Sequence, residues 1–330
     1  MNIPIKLTNC VFKNVLKDCA LMCIRGASHT RLVEVGRLVA PKVTEEYKTG
    51  QMFLHKLFGY RGVILFPWKA VVYNRNRRRR TRADSEQPQP SESTRKEAKG
   101  EEQTFYTALV DNRDVPFIRS QSEAVTFIAQ YGSSNSLYAI PGFDYVAHHH
   151  VLPYTATQDE PLQHELWDKF LDYDPNKEPQ FNAKSTLKVW QKRNRPWLQL
   201  SDVYMETTEN VQVTVIPFYM GCRGHETYWW RYRVCLENLG EDTVQLRERH
   251  WRIFSLSGVL ETVRGRGVVG QEPVLSRESP AFQYSSHVSL QAPSGHMWGT
   301  FKMERKNGLT FDCRVPPFAL ESAPMPDIKF

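Results

Sequence analysis

The sequence predicts a mainly β protein built from two strand-rich domains joined by short helices. In the segment 247–304, apolar and polar residues alternate in runs that end at Gly, Pro and Ser clusters. A period of two is typical of antiparallel strands that bury one face. The chain has 330 residues, which leaves room for two modest domains. No apolar run reaches the roughly 20 residues of a membrane-spanning helix, so no membrane role is expected.

The second domain is predicted over 201–323 as a β-sandwich. Its first strand carries alternating apolar residues at Val211, Val213 and Val215. An aromatic strand follows over 228–236, and further alternating runs fill 247–304. No long helical period interrupts them, so two packed sheets with immunoglobulin-like layering are expected.

The first domain is predicted over 48–157 as a small barrel with one embedded helix. Strand-like runs occur at 48–55, 63–66, 70–73 and 105–110. The segment 74–103 is a low-complexity insertion between paired strands, and it cannot bury enough apolar surface to order itself. Ser120 and Glu123 match a capping box, so a short helix is expected from there to Gly132.

Three further segments complete the predicted organisation. Residues 1–47 are basic, amphipathic and poor in acidic residues, which is typical of a mitochondrial transit peptide. A poorly ordered extension without an address is the alternative. Residues 158–200 are expected to form a helical connector, because their apolar residues are spaced for a packing face. Its second short helix is expected to begin at Ser185 and to end at Pro196, and 324–330 is a tail.

The net charge of +7 is concentrated in one polar loop. Six arginines lie close together there: Arg75, Arg77, Arg78, Arg79, Arg80 and Arg82. A solvated loop explains such a run, and a nucleic-acid contact or a nuclear address are the alternatives. Charge that is confined to a loop says little about a folded binding face.

The sequence offers little chemistry for catalysis or metal binding. Three of its six cysteines lie in the N-terminal segment, and the other three are widely spaced without a C-x-x-C pair. This pattern argues for a reducing compartment and against a zinc module. His148, His149 and His150 are consecutive, and neighbouring strand residues point to opposite faces, so a shared metal ion is not expected. No nucleophile elbow, H-E-x-x-H or P-loop pattern is present. We therefore expect no enzyme activity and no cofactor.

The segment 265–270 reads Gly-Arg-Gly-Val-Val-Gly, a literal G-x-G-x-x-G. A dinucleotide site would need a helix after these glycines, and Pro273 stands where that helix would run. A glycine-rich crossing between strands is the simplest interpretation. In a third interpretation, exposed amides bind an anion with help from two arginines. The residues of that candidate anion site are Arg264, Gly265, Arg266, Gly267 and Gly270.

The aromatic strand predicts a partner-binding face. Four of the five residues in 228–232 are aromatic, which is more than one buried face of a strand can hold. Alternation places Trp229, Arg231 and Arg233 on the outer face. Exposed Trp and Arg are typical of protein-binding hot spots. Packing under the connector helix is the alternative.

Two sets of sequence motifs resemble known families. Motifs at 50–51, His55, 59–64 and 138–142 resemble the YccV-like, hemimethylated-DNA-binding family. Motifs at 206–215, 247–251, 265–270 and 295–299 resemble the ApaG family. A eukaryotic family carries both domains in this order, and the chain is similar to it from about residue 47 to residue 320.

The resemblance implies an SH3-like barrel followed by a fibronectin-like sandwich, in a monomeric adaptor. It implies that the partners are replicative and bypass DNA polymerases, the sliding clamp and a mitochondrial unfoldase–protease. The implied locations are the mitochondrial matrix and the nucleus. The alternative function is a nucleic-acid-binding module that uses the barrel and the Arg75–Arg82 loop, with an affinity that falls steeply as salt rises.

Overall fold

A computed structural model describes residues 3–5, 34–76, 99–118, 123–131, 134–157, 161–224 and 226–323. Most of these residues lie in strands, which confirms the prediction of a mainly β protein. The longer of the two α-helices in the described ranges has 14 residues. Neither helix is therefore long enough to span a lipid bilayer.

The first domain is one set of antiparallel strands. These are β1 (Ile3–Ile5), β2 (Gly36–Leu38), β3 (Met52–His55), β4 (Arg61–Asn74), β5 (Gly100–Val110), β6 (Glu123–Tyr131), β7 (Ser134–Ala147) and β8 (Val151–Ala156). They pair in the order β8–β3–β4–β5–β7–β6, and β2 and then β1 extend the sheet beyond β8. Two clusters of buried residues line this sheet, one around Tyr60 and Tyr106 and the other around Leu65 and Phe143.

The embedded helix expected between Ser120 and Gly132 is wrong. Residues Glu123–Tyr131 form β6, which pairs antiparallel with β7 from Glu123↔Phe143 to Tyr131↔Ser134. This segment contains β-branched and aromatic residues at Val125, Thr126 and Phe127, which favour a strand over a helix. Pairing with β7 satisfies the backbone groups of this segment in the extended conformation.

Part of the predicted N-terminal extension belongs to the folded domain. Within 1–47, β2 pairs with β8 through Gly36↔Ala156. Tyr47 is 3% exposed, and its backbone N–H donates to the Tyr106 hydroxyl at 3.0 Å. Most of the predicted transit peptide lies outside the described residues, as does 77–98 of the predicted insertion.

The connector predicted as helical over 158–200 is a mixture of helix and strand. It contains α1 (Trp167–Phe170), β9 (Leu171–Tyr173), β10 (Phe181–Ala183) and α2 (Ser185–Leu198). The two short strands pair with each other. Helix α2 continues past Pro196 to Leu198, so that proline does not end it. Apolar residues of the connector, including Phe181 and Leu198, pack into the same buried cluster as Leu65 of the first domain.

The second domain is a sandwich of two antiparallel sheets, as predicted. Its strands are β11 (Asp202–Thr208), β12 (Val211–Arg223), β13 (Thr227–Asn238), β14 (Val244–Ser255), β15 (Leu260–Arg266), β16 (Val274–Leu275), β17 (Ala281–Leu290), β18 (Ser294–Arg305) and β19 (Thr310–Glu321). One sheet runs β11–β12–β13–β17, and the other runs β15–β14–β18–β19 with β16 beside β14. Trp230 from the first sheet and Trp251, Phe301 and Phe318 from the second lie in one buried cluster between them.

The two domains share a continuous sheet. Strand β11 of the second domain pairs in parallel with β4 of the first, from Asp202↔Val71 to Met205↔Asn74. Because β11 also pairs with β12, the hydrogen-bonded order passes from the first domain into the sandwich without a break. Backbone pairing therefore fixes the two domains to each other, in addition to the connector.

Candidate partner-binding surfaces

The outer face of β13 is covered by the first domain. Alternation does place Arg231 and Arg233 opposite the sandwich core, but they are only 1% and 5% exposed. The Arg231 guanidinium carbon lies 4.1 Å from the centre of the Phe218 ring and 5.8 Å from that of Tyr145. The prediction that these two arginines are exposed is therefore wrong, because residues of the first domain and of β12 pack on this face.

Arg233 joins the domains through a buried ion pair with Asp144 of β7. Arg233 Nη1 lies 2.9 Å from Asp144 Oδ1 and donates to the Tyr145 carbonyl at 2.6 Å. Its Nη2 donates to Gln283 of β17. The Tyr60 hydroxyl and the Tyr145 N–H also donate to the Asp144 carboxylate. Every one of these residues is at most 5% exposed as a whole, so the network is an interdomain junction and not a partner surface.

Trp229 is the third residue of the predicted partner-binding face, and it is half-buried. The Arg223 guanidinium carbon lies 5.3 Å from the centre of its ring, in cation–π geometry. Trp229 Nε1 is buried and has no hydrogen-bond partner within the described residues. A role for Trp229 in partner binding stays a prediction.

In the glycine segment 265–270, Gly265 and Arg266 end β15 and the following residues form a tight turn that leads toward β16, as the simplest interpretation predicted. Gly267 and Gly270 have φ values of 56° and 77°, which glycine adopts without strain. The Gly267 N–H donates to the Arg247 carbonyl at 2.8 Å, and Val268 and Gln271 exchange backbone hydrogen bonds at 2.8 and 2.9 Å. These three backbone N–H groups therefore already donate to carbonyl groups of the protein.

The arginines around this turn are also engaged. Arg266 Nη2 lies 2.6 Å from Glu272 Oε1, and Arg247 Nη1 lies 2.9 Å from Glu272 Oε2. The hydrogen bond from Arg247 lowers the pKa of Glu272. Arg249 Nη1 donates to the Arg266 and Gly267 carbonyls at 2.9 and 2.8 Å. Anion binding by Arg264 and the glycines stays a prediction, and the committed donors make the geometry unfavourable for it.

The histidines 148–150 form one turn of 3-10 helix before β8. His148 is hydrogen-bonded through both ring nitrogens, to the Tyr106 hydroxyl and the Lys42 carbonyl, each at 2.8 Å. The His150 ring centre lies 5.2 Å from that of the buried His55. No group of three His, Cys, Asp or Glu residues that could hold a metal ion occurs in the described ranges.

Burial keeps the side chains of His55 and His150 neutral. His55 is 2% exposed, and its Nδ1 accepts the Leu57 and Phe58 N–H groups, both at 3.1 Å. Burial, followed by the charge of Arg233, holds the pKa of His55 well below its usual value. Burial also lowers the pKa of His150 to about 2. At neutral pH the His55 ring is therefore an acceptor within the fold, and the His150 ring is a neutral packing group.

Only Arg75 of the arginine loop lies in the described part of the chain. Its backbone N–H donates to the Met205 carbonyl at 3.0 Å, and its Nε lies 3.8 Å from Glu206 Oε2. Arg77, Arg78, Arg79, Arg80 and Arg82 fall outside the described residues. The nucleic-acid and nuclear-address predictions for this loop are therefore untested.

An apolar surface that sequence reasoning missed lies on the β14–β15 hairpin. Leu256, Val259 and Leu260 are 63%, 50% and 57% exposed at its tip. Phe254 pairs across the strands with Leu260 and is half-buried. We call this set, with its neighbours Arg252 and Trp298, the hairpin surface.

Arg252 and Trp298 extend the hairpin surface along the sheet. They are cross-strand partners on β14 and β18. The adjacent Trp251, Ile253 and Met297 point into the sandwich core, so Arg252 and Trp298 point to the opposite, outer face. Sequence reasoning treated the apolar residues of 247–304 as the buried face of alternating strands. Ile253 and Phe254 are consecutive apolar residues, so they must point to opposite faces of β14. This break in the alternation was the available signal that both faces of the strand carry apolar residues.

Comparison with known proteins identifies the family. The family model for hemimethylated DNA-binding protein YccV like matches residues 45–178, and the ApaG domain model matches residues 222–305. Polymerase delta-interacting protein 2 of Homo sapiens is 61% identical over 296 residues, which cover 88% of this chain and 80% of the relative. The chain belongs to the polymerase delta-interacting protein 2 family.

Two further relatives agree with this assignment. Polymerase delta-interacting protein 2 of Mus musculus is 61% identical over 304 residues, which cover 90% of this chain and 82% of the relative. Protein ApaG of Paramagnetospirillum magneticum is 44% identical over 123 residues, 36% of this chain and 94% of the bacterial protein. The resemblance to both domain families that the sequence motifs indicated is thereby confirmed.

In this member of the polymerase delta-interacting protein 2 family, the matched ranges fall on both sides of the domain junction. The YccV-like match includes β3 to β9 and therefore Asp144, while the ApaG match includes β13 to β18 and therefore Arg233. The whole hairpin surface lies inside the ApaG match. The buried ion pair thus joins one family domain to the other.

Proposed function

We propose that this chain is a non-enzymatic adaptor that binds a DNA polymerase through the hairpin surface. The relatives from Homo sapiens and Mus musculus are named for an interaction with polymerase delta. The observation that carries the choice of surface is the exposure of Leu256, Val259 and Leu260 within five residues of one hairpin. Soluble proteins seldom expose such clusters unless another molecule covers them.

The chemistry of the hairpin surface fits a protein partner. Trp298 and Arg252 lie opposite each other across β14 and β18, and Trp and Arg are the residue types most enriched at binding hot spots. The exposed leucines of the tip add apolar area that a partner would remove from water. Because the surface is built on paired strands, little ordering entropy is lost when a partner binds.

Trp298→Ala is expected to weaken binding to purified polymerase delta by about 2 kcal/mol, or roughly thirtyfold in Kd, because it removes the central aromatic group. Leu260→Ala, at a position 57% exposed, is expected to weaken binding without affecting the core. Leu309→Ala is the matched control, because Leu309 is 64% exposed but lies in the β18–β19 turn at the other end of the sheet.

Biolayer interferometry with the immobilised full-length chain measures these affinities. A Kd that stays the same in both Trp298→Ala and Leu260→Ala, while both proteins remain folded by circular dichroism, would reject the hairpin surface as the polymerase contact. Loss of binding in Leu309→Ala as well would show that the effect is not specific to this surface.

The partners and locations implied by the family resemblance extend the proposal. They are bypass polymerases, the sliding clamp and a mitochondrial unfoldase–protease, in the mitochondrial matrix and the nucleus. The basic, acid-poor composition of 1–33 supports the mitochondrial address. Proximity labelling from the intact chain in cells, with sequencing of its mature N-terminus, tests both the partners and the locations. Recovery of cytosolic proteins alone with an uncleaved N-terminus would contradict this part.

Nucleic-acid binding is the second candidate function. It is favoured by the match of 45–178 to a family described as hemimethylated DNA-binding and by the arginines of the Arg75–Arg82 loop within that range. The affinity for a DNA duplex is then expected to fall with salt, and deletion of 77–82 should reduce the log–log slope by about 0.9 for each phosphate that the loop neutralises. A slope that the deletion leaves unchanged, in fluorescence anisotropy titrations, would exclude the loop as the DNA-binding element.

A further inference from the structure

A cleft with a volume of about 450 Å³ lies between helix α2 and the sandwich. Its walls come from α2, from β11, β12 and β13 of one sheet, and from β19 of the other. A volume of this size suits a single small molecule of the nucleotide class. The hairpin surface contributes no residue to this cleft, so its role is separate from the proposed polymerase contact.

The floor of the cleft is aromatic and firmly held. Trp230 and Trp197 are 1% and 8% exposed, and Tyr219 is half-buried. The ring centres of Tyr219 and Trp230 lie 5.6 Å apart. Trp230 Nε1 donates to the Glu321 carbonyl at 3.1 Å, which ties the ring to the backbone of β19. Of these three rings, Tyr219 has the most exposed area, so it is the ring against which a flat ligand would lie, with Trp230 packed beside it.

One wall of the cleft carries the Asp202 carboxylate, which accepts no hydrogen bond from the described residues. Asp202 is half-buried and has no hydrogen-bond or ion-pair partner in the described part of the chain. Burial raises the pKa of its carboxyl group. The Asp202 oxygens are not among the buried polar atoms that lack a partner, so water reaches them, and a ligand that supplies N–H groups would replace that water.

The rim of the cleft carries two cations. Lys192 and Arg195 are three residues apart on α2, which places them on the same face of the helix. Both are exposed, and neither pairs with a carboxylate within the described ranges. These charges would attract an anionic group at the mouth of the cleft.

We propose that the cleft binds a purine nucleoside phosphate. The base lies against the aromatic floor, its N–H edge donates to Asp202, and the phosphate sits at the rim beside Lys192 and Arg195. A purely cationic ligand is disfavoured by the two rim cations, and a purely apolar ligand would leave the Asp202 carboxylate without donors. Guanine binds best in this arrangement, because its Watson–Crick edge offers two adjacent donors to one carboxylate.

Isothermal titration calorimetry of the full-length chain with GMP, AMP and guanosine tests the proposal. We expect GMP to bind more tightly than AMP, and Asp202→Asn to weaken GMP binding by about tenfold. The double variant Lys192→Ala, Arg195→Ala is expected to weaken GMP binding about fivefold while leaving guanosine binding unchanged. Arg193→Ala is the matched control, since Arg193 is exposed on the same helix but does not line the cleft.

Three results would overturn the proposal. One is the absence of binding of either nucleotide at millimolar concentration to the folded wild-type chain. Another is a GMP affinity that Asp202→Asn leaves unchanged in a variant with a wild-type thermal unfolding temperature. The third is equally tight binding of inorganic phosphate, which would show that the base is not recognised.

Discussion

Asp144→Ala is expected to lower the free energy of unfolding by about 3–5 kcal/mol, because it leaves the Arg233 guanidinium buried without its carboxylate. The two side chains are 4% and 6% exposed and 2.9 Å apart. Tyr60 and the Tyr145 backbone N–H would also lose an acceptor, and unsatisfied buried donors add to the cost. Urea denaturation followed by tryptophan fluorescence measures the loss.

Two controls separate the cost of leaving a buried charge unpaired from the smaller cost of losing an ion pair. The double variant Asp144→Leu, Arg233→Met removes both charges, and is expected to recover part of the loss but not all of it, because the Tyr60 hydroxyl and the Tyr145 N–H still lack an acceptor. Glu46→Ala breaks the exposed pair with Lys69, and should cost less than about 1 kcal/mol. If Asp144→Ala costs no more than Glu46→Ala, the junction does not contribute to stability as we infer.

The protein is expected to lose stability as the pH falls from about 7 to about 5, through the buried His55 and the half-buried His150. The pKa values of His55 and His150 are lower in the folded chain than the ordinary value near 6.5. The unfolded chain therefore binds protons that the folded chain does not. The contribution of the two neutral histidines to the free energy of unfolding is full above pH 6.5 and falls progressively as the pH drops below that value. Each histidine contributes a slope of about 1.4 kcal/mol per pH unit in this window.

His55→Asn isolates the contribution of one histidine. The asparagine carbonyl oxygen can accept from the Leu57 and Phe58 N–H groups, as Nδ1 of His55 does. Removal of this titrating group is expected to reduce the slope of unfolding free energy against pH by about 1.4 kcal/mol per unit. Urea midpoints at a series of pH values give that slope, and an identical slope in the variant would contradict the assignment.

Local pattern was enough to predict most of the second domain. Alternation correctly separated Trp230, Tyr232 and Val234, which are buried in the sandwich, from Arg231 and Arg233 on the other face. It could not show what covers that outer face. The covering residues Asp144 and Tyr145 are about 90 positions away, and a contact over that distance leaves no periodic signal in one sequence.

The same limit explains the errors in the first domain. The capping-box pattern at Ser120 and Glu123 is a local signal for a helix, but pairing with β7 makes Glu123–Tyr131 a strand. The parallel pairing of β4 with β11 is also non-local. Sequence reasoning therefore predicted where strands and helices occur better than it predicted which of them pair with each other. It also missed the hairpin surface, because it assigned apolar residues to the core by default.

The shared sheet has a consequence for any fragment of this protein. A fragment that stops before Asp202 would lack β11 and leave the 71–74 edge of β4 bare, with its backbone N–H and C=O groups unpaired. Bare strand edges template self-association. Shortened forms that end within the connector would thus tend to aggregate, so the solubility of the first domain depends on a strand of the second.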